Sequence, residues 1–241
     1  MKKGVLFLLF ILVTINLFPQ EKKVYQEGTS AQQNINAIIK LAPYSDGAKG
    51  FDTRYEGVKG SPMLFEKPHA SFLKVKGQDY YIKLESDIDL IHNTLLFTHP
   101  NTGKLLSIPA EIVVELVFTN EESNDLVYRT TSGLVFEKEI KDLKFYQVLS
   151  DKPLLFIKIP WKTFREADYK GAYSADRKYD EYTTTIRYYI QTDDNMLHQV
   201  QLNRNSLIRL FPEKKNLIKE TIDSGNFRND EEMVISVIEK F

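Results

Sequence analysis

Paired carboxylates are the first residues in this sequence whose types and spacing could do chemistry. Asp87 and Asp89 lie two positions apart in an apolar run that predicts a β-strand, so both would point to one face of a sheet. Two carboxyl groups can serve as acid and base in the hydrolysis of a glycoside. The chain has 33 acidic residues, and a pair at this spacing arises easily by chance. We therefore favour a solvated face of the sheet for this pair.

A cluster of aromatic rings interleaved with charges is the second candidate, and it favours recognition. The stretch 162–183 is polar and rich in tyrosine, and we interpret it as a long loop between two strands. Large rigid rings bury contact area at a low cost in conformational entropy. The predicted contact residues are Trp161, Tyr169, Tyr173, Tyr179 and Tyr182. The alternative is that these rings fold back over the end of the sheet and cover its core.

Other acidic residues of this stretch offer a second route to catalysis. Asp176, Asp180 and Glu181 lie among the aromatic rings. Asp180 or Asp87 would supply such a carboxylate in the alternative hypothesis, a carboxylate-dependent hydrolase acting on envelope polysaccharide. That hypothesis requires two acidic groups to converge in a cleft at about 5 to 10 Å.

Metal and nucleophile motifs do not stand out from this background. The closest of the four histidines, His92 and His99, are farther apart than the ligand pairs of most zinc sites. The chain has no cysteine, which excludes disulfides, thiol catalysis and a lipidated N-terminal cysteine. The motifs of nucleophilic serines and phosphate-binding loops are absent as well. The sequence thus predicts no metal site, no cofactor and no catalytic residue.

The first twenty residues are typical of a secretory signal peptide. Lys2 and Lys3 precede an apolar run from Val5 to Val13, and a more polar stretch continues to Gln20. The apolar run is shorter than the roughly 20 residues of a membrane-spanning helix. We expect export to the periplasm, the outer-membrane surface or the medium, with no transmembrane segment after cleavage. A retained N-terminal anchor is the alternative.

The elements that must position these residues are mainly strands. Over residues 63–202 short apolar runs alternate with turn-forming residues, which predicts ten or more strands. We expect a β-sandwich or a barrel-like antiparallel sheet, because sheet edges must be paired or covered. A short helix at 31–41 and an irregular arm complete the region 21–62, and two to three helices over 204–241 end a single domain 63–241. An outer-membrane barrel is disfavoured, since the last apolar residues follow helical spacing: Met233, Val234, Val237, Ile238 and Phe241.

Charge limits the classes of partner. The chain carries 32 basic and 33 acidic residues, well mixed along its length, for a net charge of −1. No basic stripe is present to bind a phosphate backbone, so nucleic acid is excluded as a partner. An envelope protein, a glycan or a lipid-bearing component remains.

Several segments together resemble a family of exported, β-rich bacterial proteins of unknown function. They are Gly50–Pro62, Asp89–Asn93, Phe145–Leu149, Tyr188–Ile190 and Asn205–Ile208. The resemblance implies an envelope or secreted location and a β-rich fold, and it supplies no catalytic residue. The expected function is therefore a non-enzymatic binding or structural module of the envelope.

Overall fold

The computed structural model describes residues 31–41, 58–65, 67–99, 102–120, 125–167 and 179–241. The predicted signal peptide and most of the irregular arm lie outside the described residues, as do Tyr169, Tyr173 and Asp176. The helices are α1 (Ala31–Leu41), α2 (Arg204–Leu210), α3 (Lys215–Ser224) and α4 (Asp230–Ile238). The strands are β1 (His69–Val75), β2 (Ile82–Asp89), β3 (Thr94–Thr98), β4 (Leu105–Pro109), β5 (Val113–Phe118), β6 (Leu126–Thr130), β7 (Val135–Phe136), β8 (Phe145–Ser150), β9 (Phe156–Arg165), β10 (Glu181–Gln191) and β11 (Met196–Val200).

The eleven strands of the described ranges form one open sheet. Their order is β4-β3-β2-β1-β5-β6-β8-β9-β10-β11-β7, and every pairing is antiparallel except that of β11 with β7. A mainly β fold is therefore confirmed, whereas the predicted sandwich or barrel is not confirmed, because the sheet is open. Helices pack against the apolar side chains of the sheet, so burying them requires neither a second sheet nor a closed cylinder.

Helix α1 begins and ends at the predicted residues and packs against the first half of the sheet. Its buried residues Ala37, Ile38 and Leu41 join a core with Leu73 and Ile82 of β1 and β2. Leu41 lies four positions after Ala37 and three after Ile38, so the three residues share one face of the helix. Hydrophobic periodicity alone is sufficient to predict an element of this kind.

The C-terminal helices, also predicted, pack against the second half of the sheet. Phe156 of β9 and Ile190 of β10 form a core with Leu207, Ile218 and Val234 from the three helices. No helix in the described ranges is both long enough and apolar enough to cross a membrane.

A short segment, residues 59–64, connects two strands that are far apart in the sheet, and we call it the strap. At one end the N–H of Lys59 donates to the carbonyl of Asp180 at 2.8 Å, and the N–H of Tyr182 donates to the carbonyl of Lys59 at 2.9 Å. At the other end Met63 pairs with Asp89 of β2. Five strands lie between β2 and β10 in the order of the sheet. The chain from Lys59 to Met63, however, spans at most about 14 Å. The sheet must therefore curl strongly.

The opposite face of the sheet is covered over β8 to β11 by a loop. Ile157 and Ile159 of β9 and Tyr189 of β10 are buried there. Leu134 and Ile140, from the segment between β6 and β8, pack against them. The strands β8 to β11 are thus sandwiched between helices on one face and a loop on the other.

Candidate functional site

The hairpin of β9 and β10 projects beyond the strands beside it. The two strands pair continuously from Glu181 with Arg165 to Ile190 with Phe156. By contrast, β8 pairs only with residues 156–158 of β9, and β11 only with residues 188–191 of β10. Residues 159–165 and 181–187 therefore form a two-stranded extension, which we call the projecting hairpin.

The predicted loop at 162–183 is wrong at both ends, because the strands continue into it. β9 runs to Arg165 and β10 begins at Glu181. The residues involved include Thr163, Phe164 and Thr183, and threonine and aromatic side chains favour extended backbone. The hydroxyl groups of Thr163 and Thr183 lie 2.8 Å apart across the two strands. Cross-strand pairs of this kind stabilise a sheet even where the sequence is polar.

The predicted contact residues do not form one surface. Trp161 is opposite Thr185 in the hairpin, and Tyr182 is opposite Phe164. Successive side chains of a strand point to opposite faces, so Trp161 lies on one face of the hairpin, and Tyr182 and Phe164 lie on the other. Tyr179, just before β10, is 66% exposed.

The ring of Trp161 contacts two cationic side chains and part of the core. The Lys144 ammonium lies 4.6 Å from its ring centroid and the Arg187 guanidinium carbon lies 4.3 Å from it. Burial lowers the pKa of Lys144. The ring also packs against the core that contains Ile157 and Ile159. Cations stacked on an indole ring stabilise by about 0.5 to 2 kcal/mol each. For Trp161 the structure thus favours the alternative interpretation, in which the ring covers the core.

The other face of the projecting hairpin is the better candidate for recognition. The rings of Phe164 and Tyr182 lie 5.1 Å apart, and Phe164 is 44% exposed. Ile186, on the same face, is 45% exposed. Six large hydrophobic side chains are exposed in the described ranges, and three of them belong to this hairpin and its approach. We call Phe164, Tyr179, Tyr182 and Ile186 the hairpin patch.

Asp87 is buried, contrary to the predicted solvated face. Asp87 is 1% exposed. Its carboxylate accepts hydrogen bonds from the N–H of Ile88 at 2.7 Å and from the N–H of Phe65 at 3.1 Å. Burial raises the pKa of Asp87 to about 6, and the backbone donors and the charges of His69 and Lys162 oppose that rise. The strap and Phe65, the residue after it, cover this end of β2. The local sequence pattern does not reveal this cover, so the predicted solvated face is wrong for Asp87.

Asp89 is also buried and fully engaged. Its carboxylate accepts from the N–H of Ile91 at 2.8 Å and of His92 at 2.9 Å, and it lies 2.7 Å from the His92 ring. These bonds fix the turn between β2 and β3. The carboxylate of Asp180 likewise accepts from the N–H of Ala167, at 2.7 Å. The carboxylates of Asp87, Asp89 and Asp180 therefore all accept hydrogen bonds from backbone N–H groups.

Lys162 holds the strap against the sheet, a role that the sequence did not reveal. Its ammonium group donates to the carbonyl of Ser61 at 2.7 Å and to the carbonyl of Met63. Burial lowers the pKa of Lys162, while the negative charges of Asp87 and Asp89 raise it. Gly60 is a local sign of unusual backbone in the strap, since its φ is +82°.

The histidines do not come together into a metal centre. Within the described ranges no group of three or more His, Asp or Glu residues could hold a metal ion. His198 lies 3.3 Å from Glu137 and 3.6 Å from Asp194, and it is opposite Ile190 in the pairing of β10 with β11.

Comparison of the chain with family models, with curated proteins and with solved structures finds no match. A functional proposal therefore has to be argued from the geometry of the site.

Proposed function

We propose that this protein is an exported, non-enzymatic binding module that holds a protein partner of the cell envelope against the hairpin patch. The concentration of exposed apolar side chains on a hairpin that extends past its neighbours carries this proposal. Aromatic side chains are enriched at the centres of protein interfaces. Export is supported by the charged, apolar and polar order of residues 1–20.

A protein partner suits this surface better than a lipid-bearing component. An acyl chain needs a deep apolar cavity. A cavity of about 540 Å³ beside α2 is lined instead by polar side chains: Gln201, Asn203, Arg204, Asn205, Ser206 and Arg209. The hairpin patch is small and adjoins an exposed strand edge, which is a feature that polypeptides recognise.

The hydrolase hypothesis is less well supported. Asp87 is covered by the strap, and a carboxylate that accepts two backbone N–H groups in a buried position is not free to meet a sugar. Asp180 accepts from the backbone as well, and Glu181 bonds the guanidinium of Arg165. A binding role requires none of these groups.

Site-specific crosslinking tests the proposal. Because the chain has no cysteine, a single introduced cysteine is the only position that a thiol-reactive probe can label. Tyr179→Cys places the sole thiol of the chain within the hairpin patch, where a photoreactive maleimide can be attached. The matched control is Val135→Cys on β7, which is 57% exposed at another sheet edge. Illumination in native envelopes should give a protein adduct from position 179 and none from position 135.

Variants in the patch decide whether the adduct depends on the predicted surface. Phe164→Ser in the Tyr179→Cys background should abolish the adduct while the melting temperature stays nearly constant, because Phe164 is 44% exposed and lies outside the buried core. The proposal is wrong if no adduct forms at position 179, if both positions crosslink equally, or if Phe164→Ser unfolds the protein. The last result would show that the rings cover the core.

A further inference from the structure

We infer that the partner contributes an extended polypeptide segment, which adds a strand to the open edge of β10 at Thr184 and Ile186. This inference rests on the proposed binding function and specifies the chemistry of its partner. It follows from three features of β10: the direction of its backbone groups, the gap between its neighbours and the character of its side chains.

The backbone N–H and C=O groups of Thr184 and Ile186 point away from β9. In an antiparallel pair, alternate residues direct both groups to the same side. The N–H of Tyr182 donates outward to Lys59, and the N–H of Thr192 donates outward to Met196. The register of β10 on β9 is constant from Glu181 to Ile190, so the even-numbered residues between these two keep the same direction.

These outward groups lie in a gap between two neighbours. The strap bonds β10 as far as Tyr182, and β11 pairs with it from Tyr188 onward. Among the described residues, the segment 183–187 pairs only with β9. The gap is about five residues, or roughly 17 Å of extended chain.

The side chains along this gap do not block an incoming strand. Natural sheets protect open edges with proline, with inward-pointing charges or with a covering element. The edge of β2 shows such protection, because the side chain of Asn34 bonds both backbone groups of Lys83. The gap in β10 reads Thr-Thr-Thr-Ile-Arg instead, with strong strand formers and no proline.

An extended polypeptide is the occupant that fits these groups. Donors and acceptors that repeat every second residue of a strand are matched by another strand in the same plane. On one face the added strand would contact Ile186 of the hairpin patch, which favours an apolar side chain. On the other face it would pass Arg187, which favours an acidic one.

Proline substitution tests strand addition directly. Thr184→Pro removes an outward N–H and leaves the bonds from β10 to β9 in place, since proline is tolerated where the N–H faces solvent on an edge. Thr184→Val keeps the N–H and removes only the hydroxyl. In the Tyr179→Cys crosslinking assay, Thr184→Pro should lower the adduct yield at least about tenfold, and Thr184→Val should leave it within about twofold.

Hydrogen exchange of the purified Tyr179→Cys adduct tests strand addition without any substitution at Thr184. The amides of Thr184 and Ile186 should exchange at least about tenfold more slowly in the adduct than in the free protein, as newly bonded amides do. The amide of Tyr182, already bonded to Lys59, should change little.

Failure of strand addition and failure of the proposed binding function give different results. If Thr184→Pro crosslinks as well as Thr184→Val, or if the two amides gain no protection, strand addition is overturned while the hairpin patch remains a binding surface. If position 179 gives no adduct in the parent protein, the proposed function itself fails. An adduct that resists protease and is cleaved by glycosidase would overturn the polypeptide partner.

Discussion

The side-chain amide of Asn34 bonds both backbone groups of Lys83, as a neighbouring strand would. Its Nδ2 donates to the carbonyl of Lys83 at 2.8 Å, and its Oδ1 accepts from the N–H of Lys83 at 2.8 Å. Lys83 lies in β2 before the pairing with β3 begins at Ser86. Helix α1 therefore caps a strand edge in addition to filling the core beneath it.

Removing this cap should destabilise the protein and open the edge. For Asn34→Ala we expect the free energy of unfolding to fall by about 1 to 2 kcal/mol, because two hydrogen bonds are lost at a partly solvated site. Urea unfolding measures the change. Asn34→Asp keeps an acceptor for the Lys83 N–H but places a carboxylate oxygen where the donor faced the Lys83 carbonyl, so it should also be less stable than the parent. Equal stability of Asn34→Ala and the parent would contradict the capping role.

The buried carboxylate of Asp87 should make stability depend on pH in an unusual direction. Burial raises its pKa from 3.8 to about 6 in the folded protein, so the folded state holds this proton more tightly than the unfolded state does. The unfolding free energy contributed by Asp87 therefore falls as the pH rises from about 4 to 6, by up to about 3 kcal/mol, and stays low above that range.

Asp87→Asn isolates this contribution. The amide oxygen can still accept from Phe65 and Ile88, and the side chain no longer ionises. We expect the variant to be more stable than the parent at pH 7 and equal to it near pH 4, as measured by urea unfolding across that range. A constant difference at every pH would show that Asp87 is ionised without cost, and the inferred burial effect would be wrong.

Lys162 should control the attachment of the strap. Lys162→Met removes the donors to Ser61 and Met63, and we expect a loss of about 2 to 3 kcal/mol in unfolding free energy. The amide of Leu64, which bonds Ile88, should then exchange faster with solvent.

A lysine on the same face of β9 provides the control. Lys158 forms an ion pair with Glu231 of α4 at 2.9 Å. Lys158→Met should loosen the helix contact and leave the exchange of the Leu64 amide unchanged. If both variants accelerate exchange at Leu64 alike, the strap is not held by Lys162 specifically.

Gly60 should tolerate a side chain less well than Gly77 does. Both have positive φ, +82° and +78°, so alanine costs about 1 to 2 kcal/mol at either position. A Cβ at Gly60 would also lie 3.2 Å from the carbonyl oxygen of Tyr182, whereas a Cβ at Gly77 meets open space. We expect Gly60→Ala to lose about 1 kcal/mol more than Gly77→Ala in thermal or urea unfolding. Equal losses would mean that the strap yields freely.

The parts of the fold that the sequence predicts are those set by local periodicity. Helix α1 has its apolar residues at helical spacing, and so have the helices over 204–241. The hairpin of β10 and β11 follows from two strand-forming runs around Asp193, Asp194 and Asn195. In each case neighbouring residues carry the information.

The missed features depend on contacts between distant residues. The strap pairs Lys59 with Glu181, and no local pattern marks either residue as a partner of the other. Asp87 is buried where the strap and Phe65 lie over β2. The separation of Trp161 from Tyr182 follows from the extension of both strands into a stretch whose polarity suggested a loop.

The position of the strap also determines how the protein would bear a mechanical load. Lys59 is bonded to β10 and Met63 to β2, on two widely separated parts of the sheet. Tension that enters through the residues before Lys59 would therefore divide between two strands instead of peeling one terminal strand away. Force applied directly before Lys59 should therefore meet a greater resistance than force applied at Phe241.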